Sequence, residues 1–159
     1  MTVRSVIRQS TSAALVGSLV LLGACGGSDD DAGSTATGVE VTDVWARTTP
    51  PGTTVGAVYL TVSSETADAL VGADVDPSIA ASAMLHSTLT SAGGETSMEP
   101  LDELDVPAGG ELVLEPAGSH IMLVDLAGSL DAGASFELTL HFATAGDETV
   151  TVEVRDEAP

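Results

Sequence analysis

From residue 39 onward no stretch holds apolar residues at helical spacing; short runs alternate apolar and polar and stop at Gly, Pro, Asp or Ser. A period of two sends successive side chains to opposite faces of an extended chain, so the pattern dictates strands. The clearest run is Phe136-Glu137-Leu138-Thr139-Leu140-His141-Phe142. One face of that strand is core and the other is wet, with His141 on the wet face as a surface residue. Further strands are predicted over residues 39–45, 55–62, 69–75, 84–90, 96–100, 111–115, 121–126 and 149–154. Residues 77–83 are ambiguous and compatible with a helical turn. Pro50-Pro51-Gly52, Gly93-Gly94 and Pro107-Ala108-Gly109-Gly110 supply turns, and Gly93-Gly94 is consistent with a hairpin between the segments flanking it. About eight or nine short strands at roughly ten-residue spacing point to an all-β domain, a Greek-key β-sandwich. No internal repeat is present.

Residues 1–25 read as an export signal instead of fold. Arg4 and Arg8 precede an apolar run from Ala13 to Leu22, and Leu22-Gly23-Ala24-Cys25 looks like a lipobox. The run is short for a membrane span and ends in small residues, which fits processing better than a buried N-terminal helix. Cys25, the single cysteine, is then the lipidation site and not a metal ligand, and no intramolecular disulfide exists. Residues 26–38, rich in Gly, Ser, Asp and Thr, have the composition of a flexible tether. The expected organisation is signal 1–25, tether 26–38, β-domain 39–155 and short tail 156–159. The expected location is outside the plasma membrane, in the periplasm or cell envelope, held by lipid.

Four basic residues, all Arg, stand against 24 acidic ones, for a formal net charge of −20. Such a field opposes binding to nucleic acid or to an anionic membrane surface. It serves solubility or life at high salt, and it also raises the local concentration of cations.

The residues with chemistry are few and crowded. Apart from Met1, every methionine (Met84, Met98, Met122) lies between residues 84 and 122, as do His86 and His120, two of the three histidines. Thioethers and imidazoles together are a ligand set for Cu(I), whereas a thioether is a poor ligand for zinc. His120-Ile121-Met122 on a strand would aim both donors to one face and Ile121 to the core. His86 and Met98 flank the Gly93-Gly94 turn, which could bring them together. Met84 is read as core filler, with an auxiliary thioether as the alternative.

This arrangement resembles the extracytoplasmic copper chaperone family called PCuAC, associated with assembly of the CuA centre of cytochrome c oxidase. In that family a His, often followed by Met, precedes ten residues, a Met, twenty-one residues and His-x-Met. Here His86 is followed by Ser87, ten residues (88–97) lead to Met98, and twenty-one residues (99–119) lead to His120-Ile121-Met122. Trp45-Ala46-Arg47, Pro50-Pro51-Gly52, Tyr59-Leu60-Thr61, Gly118-Ser119 before the His-x-Met, and Leu138-Thr139-Leu140 ahead of Gly146 are also similar, so the likeness spans about residues 39–155. It implies a cupredoxin-like β-sandwich binding one Cu(I) through His86, Met98, His120 and Met122 near the surface at one end. It also implies delivery to the CuA subunit or another copper assembly factor. Two departures stand out. Ser87 removes an optional thioether, and Arg155-Asp156-Glu157-Ala158-Pro159 is no His- and Met-rich tail, which leaves the second, Cu(II) site of some family members in doubt here.

A neutral donor set without thiolate should release Cu(I) to an acceptor that offers thiolates. Two rivals use the same features differently. A copper-sequestering or resistance lipoprotein would hold the ion and deliver it nowhere; a metal-free envelope lipoprotein would not bind it. A copper enzyme is disfavoured, since no cysteine ligand, third motif histidine or paired-carboxylate cluster is legible.

Overall fold

The computed structural model describes residues 38–91 and 93–158; the expected export signal (1–25) with Cys25, and all but the last residue of the expected tether (26–38), lie outside the described residues. Ten strands occur in the order β1 (Val39–Arg47), β2 (Val55–Ser64), β3 (Asp68–Val75), β4 (Ala80–Thr90), β5 (Thr96–Pro100), β6 (Leu104–Val106), β7 (Gly110–Leu114), β8 (Ser119–Leu126), β9 (Ser135–Phe142) and β10 (Gly146–Arg155). No helix is present among the described residues. The ambiguous segment is a turn over residues 77–79 that enters β4 directly, so β4 begins earlier than predicted. The short strand β6 was not anticipated.

The Greek-key sandwich expectation is corrected. Hydrogen bonding runs β4-β8-β2-β1-β10-β9-β3, and β3 returns to β4 through Ala73↔Ala83, so seven strands close into a barrel. Strand spacing reports where strands are, but edge partners are set by long-range pairing, which a local pattern does not carry. Closure is helped by irregularities that bend strands. In β1, Asp43 and Val44 together oppose a single residue of β2, and Asp43 takes the left-handed φ of 52°. In β3 the register shifts between Leu70 and Gly72.

The barrel interior is aliphatic. Val58, Leu60 and Val62 of β2, Ile121 and Leu123 of β8, and Leu138 and Leu140 of β9 are buried within it. Each such side chain contributes roughly 1.5–3 kcal/mol relative to remaining in water. Phe136 and Phe142 join the same core, as the alternation of β9 demands.

Three strands lie off the ring and make forks. β2 pairs with β8 over Val55–Val58 and then with β7 over Leu60–Ser64. β4 leaves β3 at Ala83, and β5 takes up the freed edge from His86 to Thr90. The ends of β4 and β8 that carry His86 and His120 therefore lie where the wall splits, with β5 as an outer edge.

Candidate metal centre

Antiparallel pairing of β4 with β8 sets Met84 against Met122, Leu85 against Ile121 and His86 against His120. Directly opposed residues share a face. Leu85 and Ile121 are buried in the core, so the two Met and two His occupy the outer face. The β4–β5 register adds Met98 opposite Thr88, on that same outer face and one step diagonal from His86. Ala57 of β2 lies opposite Met122 and offers only a methyl group there. The structure thus brings His86, Met98, His120 and Met122 to one wall. Met98, His120 and Met122 line a single cleft of about 200 Å3, with Arg47 at its margin.

His120 is only 4% exposed. Its Nδ1 lies 3.2 Å from the carbonyl oxygen of Gly118. A carbonyl only accepts, so Nδ1 carries the proton and Nε2 keeps a lone pair. A metal-binding imidazole is oriented in this way. The Gly118 carbonyl is held in turn by the backbone N–H of Thr88, 3.1 Å away on β4, and Gly118 closes a turn onto Glu115. One peptide group thereby ties the β7–β8 turn to both histidine-bearing strands.

The His86 and His120 ring centroids are 6.1 Å apart, with planes inclined by 34°. An ion bonded to both rings at about 2 Å, with about 1 Å from ring centre to nitrogen, spans about 6 Å between centroids when linear. The pair is therefore within reach of one ion, and a tetrahedral arrangement draws the rings closer. The Nδ1 atom of His86 is buried without a hydrogen-bond partner. Such an orphaned nitrogen is costly in a native fold unless something else uses its lone pair. Burial, followed by the nearby His120, pushes the His86 pKa below the usual histidine value, which keeps the ring neutral and able to donate electrons.

Behind His120 stands an aromatic stack that sequence reasoning noted only as flanking resemblance. The Tyr59 ring lies 6.3 Å from that of His120, Trp45 lies 4.7 Å from Tyr59, and the Arg47 guanidinium sits 5.9 Å from the centre of the Trp45 ring. The bulge at Asp43 is what turns Trp45 to the outer face; before it Val41 points inward, after it Ala46 does. The Gly118 carbonyl as His120's anchor left no signal in the sequence.

Two other expectations meet the structure differently. Met84 is not core filler: it is 44% exposed on the outer face, because the register with Met122 turns it away from the barrel interior. His141 is a surface residue, yet not an idle one. Its Nδ1 lies 2.7 Å from an Asp147 carboxylate oxygen and its Nε2 3.0 Å from one of Asp74, so the two acceptors favour the doubly protonated ring, which clamps β3, β9 and β10. These two carboxylates, Asp147 first, raise its pKa. Among the described residues no three His, Cys, Asp or Glu side chains converge on a metal position; the soft cluster of two imidazoles with thioethers stands apart from such oxygen-rich or thiolate sites.

A closed β-barrel bearing paired imidazoles and thioethers on one outer wall is the class of domain these observations define. Residues 39–154 match the family described as "Putative lipoprotein LpqE-like", and the chain belongs to that family, which is PCuAC-like. It is 36% identical over 124 residues to "Putative lipoprotein Lxx21020" of Leifsonia xyli subsp. xyli (strain CTCB07), covering 78% of this chain and 74% of that one. Among solved structures it resembles the copper-bound PCuAC domain from PmoF2, with TM-score 0.60 and 27% identity over 77% of this chain and 94% of that domain. It also resembles CuI-DR1885 from Deinococcus radiodurans, with TM-score 0.57 and 31% identity over 72% of this chain and 76% of that one.

Proposed function

We propose that this chain is a Cu(I)-binding metallochaperone that holds one ion between His86, Met98, His120 and Met122. The observation that carries the reading is the direct opposition of His86 and His120 across β4 and β8, one ring oriented by the Gly118 carbonyl and the other left with an unpartnered nitrogen. The copper carried by the related PmoF2 domain and by CuI-DR1885 supports it. The ion is cargo. Two neutral imidazoles and two neutral thioethers leave Cu(I) its positive charge, and a thiolate acceptor offers the softer, anionic donor and takes it. The acceptor is the CuA subunit of cytochrome c oxidase or another copper assembly factor. No bond of a substrate is made or broken, so the protein is not an enzyme.

The chain acts outside the plasma membrane, tethered by lipid on Cys25 and the residues up to 38, and the acidic surface gathers cations around it. X-ray absorption on the Cu(I)-loaded protein tests the donor set. The reading requires both nitrogen and sulfur neighbours on one copper; a spectrum with only oxygen and nitrogen neighbours would falsify it.

A further inference from the structure

We propose that Met84 is an exchange donor for the same ion, taking its place on Cu(I) when Met98 lets go; this rests on the copper reading above. Met84 opposes Met122 directly and precedes His86 by two residues on one face, so its Cβ stands about 5 Å from that of Met122. Its three rotatable bonds let the sulfur sweep the space between Met122 and His86. Packing does not account for it, since it is 44% exposed and outside the core.

The partner in the exchange is set by the topology. Met98 is 59% exposed and rides on β5, an edge strand exposed along its whole length and paired with β4 alone. Met84 rides on β4, held between β8 on one side and β3 and β5 on the other. A donor on an outer edge strand leaves more readily than one on a strand of the barrel wall, and β4 is paired with β8 from Ala80 to Ser87, through Met84 itself. In the exchange the Met98 sulfur–copper bond breaks and the Met84 sulfur–copper bond forms. Both thioethers are neutral, so no proton or electron moves and the ion stays Cu(I). His86, His120 and Met122 hold throughout, while the place vacated by Met98 opens toward solvent and an incoming acceptor.

The test is an anaerobic Cu(I) competition titration against bicinchoninate, using the full chain and the variants Met84→Leu, Met98→Leu and the double variant. Leucine keeps the bulk of an exposed methionine, and a thermal melt of each apo variant confirms folding. Each single variant is expected to lose no more than about tenfold in affinity, and the double variant at least about a hundredfold more than the two losses combined. In Met98→Leu, Cu(I) should also shift the methyl NMR signal of Met84. A double variant that binds as Met98→Leu does, or an unmoved Met84 methyl, overturns the exchange while leaving the four-donor site intact. A wild-type chain that takes no Cu(I) overturns both.

Discussion

His86 and His120 face each other across β4 and β8 with ring centroids 6.1 Å apart, and only one of them has its Nδ1 satisfied by the protein. That asymmetry separates the two roles. His120 is buried and fixed by backbone; His86 is half-buried and tuned toward its neutral form.

If this pair holds the ion, truncating it must cost far more than truncating the third histidine. His86→Ala and His120→Ala should each weaken Cu(I) binding at least about a hundredfold, roughly 2.7 kcal/mol. His141→Ala should leave affinity unchanged, because its ring is committed to Asp74 and Asp147 on another wall. Competition titration reads all three, and equal losses would remove His86 and His120 from the site.

The histidines also pull apo stability in opposite directions with pH. The raised pKa of His141 means the folded state holds its proton more tightly. Its stabilisation is full below about pH 6.5 and fades as pH rises through the folded value. The depressed pKa of His86 means the folded state disfavours its proton, so stability falls as pH drops below about 6.5. In denaturant melts from pH 5 to 8, His141→Asn should steepen the loss of stability on acidification, and His86→Asn should flatten it. The reverse pattern would refute both assignments.

Asp43 carries the bulge in a left-handed conformation, with φ 52°. Asp tolerates that region and Gly enters it freely, whereas a β-branched residue does not. Asp43→Val should destabilise the fold by about 1–2 kcal/mol, and Asp43→Gly by much less. Near-ultraviolet circular dichroism of Trp45 gives a second readout, since the bulge sets which way that ring points. A Val variant as stable as wild type would mean the strand finds another register.

Ile121 separates the two donors of the His-x-Met and faces the barrel interior, fully buried. Ile121→Ala should cost about 2–5 kcal/mol of stability in chemical denaturation. A loss below about 1 kcal/mol would mean that the core closes over the gap.

The strands were legible because their side chains obey a local rule. β9 is the clearest case: its alternation shows in the sequence, and Phe136, Leu138, Leu140 and Phe142 are all buried. Closure was not legible, because the seam depends on Ala73 meeting Ala83, two small residues with no pattern that names a partner. Spacing paired His120 with Met122 on one strand and His86 with Met98 across a turn; that the two pairs meet was implied by the family resemblance. The environment of those residues was not anticipated. Met84 read as filler because sequence gives a methionine's hydrophobicity but not its register. The carbonyl that orients His120 belongs to a glycine, which carries no side-chain signal at all.

The single seam has a further effect. β4 touches β3 at one register pair, Ala73↔Ala83, but follows β8 from Ala80↔Leu126 to Ser87↔Ser119. Any breathing of the wall is therefore easiest along that seam, and the panel that swings there carries both imidazoles as one piece. Movement at that seam leaves the two nitrogen donors aligned with each other, because the β4–β8 pairing that sets them face to face runs along the other edge of β4.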